Sequence, residues 1–193
     1  TDALVTLEVH NPSAFENAFR GRGVALSAAP LFLDAVAAMG PGPFAVVSPD
    51  PGGAKRAELF REALEARLGQ PVGKAFADKH RSGGVVTGDL FVGEVEGATA
   101  VIVDDLVSTG GTLARAARAA RAAGAAQVIA AAAHGLFTAG AAEALADPAL
   151  DRLMVTDAVP AFRLPADARK KLQIVPAAPL IAEAVRRLHE HRP

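Results

Sequence analysis

The chain contains no cysteine, which excludes disulfides, thiolate catalysis and cysteine-ligated metal sites, and removes the usual indicator of redox compartment. Excess charge of either sign is also lacking. Twenty Lys and Arg against 21 Asp and Glu leave a net charge of −1, so no overall field draws the protein to nucleic acid or to a membrane, and neither is expected as a partner. Any anion must be held locally. No stretch reaches the roughly 18 uncharged apolar residues of a membrane span; the nearest, Ala122 to Phe137, is broken by Gly124, Gln127, His134 and Gly135. The first residues lack the basic-then-apolar layout of a secretory signal. Leu4-Val5-Thr6-Leu7-Glu8-Val9 reads instead as a strand already under way, and the chain begins with Thr. A further portion upstream is therefore expected, and the cytoplasm is the default location. What remains is 193 residues, 51% apolar and 21% charged. That is enough for one globular domain, or two small half-domains, with a sizeable core.

Apolar runs of strand length alternate with helical patterns. Strands are expected at Leu4–Val9, Phe44–Val47, Val72–Ala77, Ala98–Val103, Val128–Ala133, Leu153–Thr156 and Leu172–Val175. Helices are expected at Leu31–Met39, Ala54–Leu68, Thr112–Ala123, Ala141–Leu145 and Leu180–His189. Near-continuous apolar strands mean burial on both faces, so the order implies an α/β fold, a doubly wound parallel sheet. Arg115, Arg118 and Arg121, three residues apart on an alanine-rich helix, read as a solvated face. The glycines from Ser82-Gly83-Gly84 through Gly88, Gly93 and Gly97 suggest a mobile loop or loose hairpin, a candidate lid.

The sharpest feature is Val101-Ile102-Val103-Asp104-Asp105-Leu106-Val107-Ser108-Thr109-Gly110-Gly111-Thr112. An apolar strand delivers two acids to the C-terminal edge of a parallel sheet, where open α/β folds bind ligands. Ser108, Thr109 and two glycines then turn the chain into a helix, so that several backbone N–H groups and the positive helix end converge on one phosphate. Gly110 and Gly111 permit close approach, and the hydroxyls of Ser108, Thr109 and Thr112 add donors. Asp104 and Asp105 are wrong for phosphate but right for hydroxyls or a hydrated divalent cation. Together they read as a sugar phosphate site. Neither a Walker A loop nor a Gly-x-Gly-x-x-Gly dinucleotide fingerprint occurs.

Three further places carry candidate chemistry. Asp50 follows a strand and precedes Pro51-Gly52-Gly53, where a turn-forming role is the plain alternative to ligand binding; the adjoining Lys55-Arg56 could face a phosphate or form surface charge. Lys79 and Arg81, at i and i+2, share one side of an extended segment. Two cations on a movable loop suit in-line attack at phosphorus, where charge builds on oxygens while water is excluded. His10 closes the first strand, where imidazole binds metal or phosphate or simply ends a strand. His134 is expected to pack and hydrogen-bond near the sheet edge.

Val103 to Thr112 resembles the phosphoribosyl pyrophosphate (PRPP) motif shared by type I phosphoribosyltransferases and ribose-phosphate pyrophosphokinases. The remaining segments resemble the second family. Ser48-Pro49-Asp50-Pro51-Gly52-Gly53 is similar to its Ser-Pro-Asp-x-Gly-Gly segment, and Asp78-Lys79-His80-Arg81 to its Lys-x-Arg loop. His134-Gly135-Leu136-Phe137, Val155-Thr156-Asp157-Ala158-Val159-Pro160 and Ala182 to Arg187 resemble its later segments. Glu8-Val9-His10 stands where the family has Asp-Leu-His, and Ser108 where many members have Asp. After His10, Asn11 to Phe19 replaces a Gln-rich segment.

The resemblance implies the type I phosphoribosyltransferase fold, with residues 1–26 ending a family N-terminal domain and 27–193 forming the C-terminal domain. It implies transfer of a diphosphoryl group from ATP to ribose 5-phosphate, with Lys79 as catalytic lysine and Arg81 as a catalytic and ribose 5-phosphate contact. Asp104, Asp105 and Ser108 to Thr112 would bind ribose 5-phosphate, and His10 and Asp50 would hold Mg2+. A homo-oligomer, dimer or hexamer, is implied, with most adenine contacts supplied from an upstream half. A phosphoribosyltransferase using PRPP, or a non-catalytic regulatory subunit, remains the alternative.

Overall fold

The structure, a computed structural model, describes residues 2–190 except 83 and 84, with backbone alone over residues 78–89. Two sheets are present among these residues. The smaller pairs β1 (Ala3–Leu7) in parallel with β2 (Arg22–Leu26), joined through helix α1 (Pro12–Ala18). The larger has seven strands: β3 (Phe44–Ser48), β4 (Gly73–Ser82), β5 (Val85–Gly93), β6 (Thr99–Val107), β7 (Gln127–Gly135), β8 (Arg152–Thr156) and β9 (Leu172–Val175). Their order across the sheet is β5-β4-β3-β6-β7-β8-β9, parallel throughout except for the β4–β5 hairpin.

Alternate residues of the central strands feed two separate cores, as a period of two requires. Val46, Val101, Val103, Ile129 and Ala131 face α2 (Ala29–Ala37) and α3 (Ala54–Leu68) through Phe32, Val36, Ala57, Phe60 and Leu64. Val47, Ala100, Ile102, Val128 and Ala130 face α4 (Gly111–Ala122) and α5 (Ala141–Ala146). In α4 the buried stripe is Leu113, Ala116, Ala117 and Ala120, the i, i+3, i+4, i+7 face of an amphipathic helix. The short alanine side chains bring this helix close to the sheet. Helix α6 (Ala178–His189) ends the fold.

The sheet thus winds both ways from its middle. The chain leaves β3 through α3 to reach β4 on one side, while β6 pairs with the other edge of β3 and leaves through α4 on the opposite face. Between β3 and β6 the two loops diverge, the place where open α/β sheets form a ligand crevice.

Two sequence expectations need correction, and a third is narrowed. The first strand ends at Leu7 rather than Val9, because Glu8 takes a left-handed φ of 47°, and it lies in the small sheet. Of the two forms expected for the glycine-rich stretch, loop or hairpin, the hairpin is found, and it is largely strand: β4 and β5 pair with Lys79 opposite Asp89 and Arg81 opposite Val86. The arginines of α4 are not simply solvated, since Arg118 Nη1 bonds Asp147 Oδ2 at 2.6 Å. Arg121 donates to the carbonyls of Ala125 and Ala126 at 3.1 and 2.7 Å and also grips Asp151. Asp151 in turn accepts from Val128 N at 2.7 Å, so Arg121 fixes the turn into β7.

Candidate active site

The β6 strand carries Asp104 and Asp105 beyond its pairing with β3, which ends at Ile102, while it stays paired with β7 through Val107, and the chain then turns through Ser108 and Thr109 into α4. Gly110 caps that helix with φ 75°, and a Cβ there would lie 2.7 Å from Ala144 Cβ. Only glycine fits both the conformation and the space. The turn is held from the loop after β7 by Thr138 N bonding Ser108 O at 3.0 Å, and by the Ser108 and Thr138 hydroxyls 3.0 Å apart. From β3, Ser48 Oγ bonds Asp50 O at 2.6 Å and Asp50 Oδ1 accepts from Gly53 N at 2.9 Å. The turn-forming role weighed for Asp50 is therefore real, and it fixes the carboxyl at the rim of the crevice.

These loops enclose a cavity of ≈ 210 Å³ whose lining includes His10, Asp50, Asp104, Asp105 and every residue from Ser108 to Thr112. Nine residues singled out from the sequence therefore meet at one place. The side chains of Lys79 and Arg81 lie outside the described residues. A larger cavity of ≈ 450 Å³ opens beside this one, lined among others by Glu8, Phe32, Lys55, Arg56 and Leu59.

The acid pair is not left to solvent. Arg56, in the first turn of α3, sets Nη1 3.2 Å from Asp104 Oδ1 and Nη2 3.4 Å from Asp105 Oδ2. Its Nε lies 3.6 Å from Glu8 Oε1. His10 Nδ1 pairs with Asp105 Oδ2. Asp105 is buried, and its Oδ1 accepts from Leu106 N at 3.0 Å. Burial, with the hydrogen bond and charge of Asp105, pushes the Asp104 carboxyl up to about 7, against the pull of Arg56. Burial alone would raise Asp105 as well, but the bonds from His10 and Asp104 and the Arg56 charge bring it below the usual range. The two carboxyls are thus pushed apart in acidity, Asp104 upward and Asp105 downward, an unequal pair suited to hydrogen bonds with neighbouring sugar hydroxyls.

Sequence reasoning weighed Arg56 only as one of two cations near a turn. The missed signal is helical spacing: Gly53, Ala57, Phe60 and Leu64 are buried, and Arg56 falls on the same face, so its guanidinium emerges at the sheet edge beside the acids.

Among the described residues no three His, Asp or Glu side chains form a group able to cage a metal. His10, Asp50, Asp104 and Asp105 nonetheless share one cavity wall, an oxygen-rich set with one imidazole. That suits Mg2+, which keeps its waters and is held by one or two carboxylates together with ligand phosphates.

Comparisons with known proteins identify the family. Residues 87–192 match the family model described as the phosphoribosyl synthetase-associated domain. A ribose-phosphate pyrophosphokinase of Aquifex aeolicus is 39% identical over 145 residues, covering 75% of this chain and 44% of the relative. One from Ralstonia nicotianae is 42% identical over 144 residues, covering 74% and 43%. The crystal structure of phosphoribosylpyrophosphate synthetase from Mycobacterium smegmatis superposes with a TM-score of 0.83 at 31% identity, over 98% of this chain and 59% of that one. The chain spans less than half the length of the two curated relatives. No helix among the described residues is long and apolar enough to cross a membrane. By the match of its family model over more than half its length, the chain belongs to the family of the phosphoribosyl synthetase-associated domain.

Proposed function

We propose that this chain is the ribose 5-phosphate-binding half of a ribose-phosphate pyrophosphokinase. In the reaction, the anomeric hydroxyl oxygen of ribose 5-phosphate attacks the β-phosphorus of ATP and the bond to the α-phosphate oxygen breaks. The products are PRPP and AMP, and the hydroxyl proton is released. The observation that carries the reading is the meeting, in one cavity at the β3–β6 switch point, of a backbone phosphate cradle and a paired carboxyl set.

Each part has a role that its chemistry supports. Backbone N–H groups from Ser108 to Thr112, at the head of α4, receive the 5-phosphate. Asp104 and Asp105 orient the ribose hydroxyls, which places the anomeric oxygen for in-line attack. His10 and Asp50 would hold Mg2+ with the triphosphate, and the ion, when bound, neutralises phosphate oxygens. Lys79 and Arg81 close over the β-phosphorus and offset the charge that builds there, with Arg81 also reaching ribose 5-phosphate. The division at residue 26, a homo-oligomeric assembly as dimer or hexamer, and a cytoplasmic location where ATP and sugar phosphates are available belong to the same proposal.

Phosphorus NMR tests it, with Mg2+, ATP and ribose 5-phosphate mixed with this chain and, where the encoded protein is longer, with its full-length form. Signals of AMP and PRPP that Lys79→Ala reduces by about 1000-fold or more are the expected result. No product from the full-length form, with ribose 5-phosphate or PRPP still bound, would turn the reading to a transferase or a regulatory subunit.

A further inference from the structure

Glu8 stands apart from the ligand cavity, yet it is held in an unfavourable way. Its φ of 47° costs a residue with a Cβ about 1 kcal/mol or more, and such conformations persist when surrounding contacts over-determine them. Those contacts are present. The Glu8 backbone N–H bonds Leu26 O at 2.7 Å. Its Oε2 accepts from Ala28 N at 2.8 Å and Ser27 Oγ at 3.3 Å, at the entry to α2. Its Oε1 faces Arg56 Nε at 3.6 Å, with the carboxylate largely sheltered from solvent.

A guanidinium is a planar fork, and engaging its Nε edge limits how the opposite edge can turn. In Arg56 that opposite edge spans the acid pair, with Nη1 on Asp104 and Nη2 on Asp105. Glu8 lines only the neighbouring cavity and not the one shared by the acids and the phosphate loop. The two cavities share His10 and Asp104 as wall residues, and the side-chain contact that runs from the Glu8 carboxylate toward the acid pair is the one with Arg56. An aspartate would be one methylene too short to reach α2 and Arg56 together.

We propose that Glu8 is a positioning residue: its carboxylate bridges the start of α2 to Arg56 and so fixes the Asp104–Asp105 pair that receives the sugar hydroxyls. This inference rests on the ribose 5-phosphate reading above. Calorimetric titration of ribose 5-phosphate into wild type, Glu8→Gln, Glu8→Asp, Arg56→Lys and the Glu8→Gln/Arg56→Lys double variant tests it. Glu8→Gln keeps the side-chain length and the acceptor for Ala28 N–H but drops the charge facing Arg56. It should melt within about 2 °C of wild type and bind ribose 5-phosphate about tenfold more weakly, the scale of losing an orienting partner behind a site. Arg56→Lys should weaken binding at least as much, and the double variant no further. Wild-type affinity in Glu8→Gln, or additive losses in the double variant, overturns the proposal. Glu8→Asp takes over if Glu8→Gln does not fold; the same loss is expected of it, and wild-type affinity there would equally overturn the role of Glu8.

A second readout keeps this test separate from the function reading. The Arg56 Nε–H cross-peak in a 15N-arginine spectrum, assigned by its absence in Arg56→Lys, should shift and exchange faster with water in Glu8→Gln. If wild type fails to bind ribose 5-phosphate, the function reading falls, while an unmoved cross-peak would still refute the role of Glu8.

Discussion

At Gly110 the chain leaves β6 with a φ of 75°, and any side chain would press on Ala144 of α5. Gly110→Ala should therefore cost about 3 kcal/mol, from the left-handed backbone and the overpacked contact together, measured by urea unfolding. Gly111→Ala is the matched control. Its Cβ would meet nothing closer than Thr109 Oγ1 at 3.7 Å, so stability should stay within about 1 kcal/mol of wild type. Equal losses in the two variants would refute this account of Gly110. The loop was legible in the sequence because its residue types are the ones its geometry demands: acids at a strand end, hydroxyls and glycines at a helix start. Arg56 and Glu8 were not, since their importance comes from a meeting of two residues far apart in the chain. Sequence spacing reports what shares a face, not which charge waits across a gap.

Helix α3 runs from Ala54 to Leu68, as its pattern indicates, and stops at Gly69 with φ 66°. On it, Glu58 lies 2.8 Å from Arg61 and 2.6 Å from Lys74 of β4. Hydrogen bonds from Arg61 and then Lys74 bring the Glu58 carboxyl down to about 2, below its ordinary 4.5. A carboxyl lowered by folding stabilises the fold fully above its ordinary value and loses that contribution as pH falls toward the folded value. The α3–β4 tie should thus weaken between pH 4.5 and about 2. Melting temperature should fall less steeply across that range in Glu58→Gln than in wild type; parallel curves would count against the tie. Other elements were hidden from the sequence for physical reasons. Strand β2 has no buried residue and only the short apolar run Val24-Ala25-Leu26, and α1 buries none of its side chains. Strand β5 was disguised by Gly88 and Gly93, although Gly93 belongs to the hairpin, with φ 121° and Lys74 O only 2.3 Å from where a Cβ would be.

Across the whole molecule, stability is graded. Strands β6 and β7 are each paired on both edges and carry fully buried residues such as Val101, Ile102, Ile129 and Ala130. Strands β1 and β2 pair only with each other and contain no buried residue. They are linked to the larger sheet in part by His134 Nε2, 2.9 Å from Leu7 O. Hydrogen–deuterium exchange should find the amides of Val101–Val103 and Ile129–Ala131 opening only on global unfolding. Those of β1 and β2 should exchange at least about 100-fold faster, and equal protection would refute the grading. The doubly wound sheet was legible because strands covered on both faces need unbroken apolar runs, whereas the small sheet lacks that signature.

The pairing of β3 with β6, from Phe44 opposite Thr99 to Val47 opposite Ile102, joins stretches of chain separated by the whole β4–β5 excursion. Asp50 follows the first of these strands, and the acids with their phosphate loop follow the second. Cleavage in the turn between β5 and β6 would leave His10 and Asp50 in one fragment and the acids with residues 108–112 in the other, so neither would hold the complete cavity wall. The site would return only when the fragments zipped together in register, which makes ligand capture a built-in reporter of fragment reassembly.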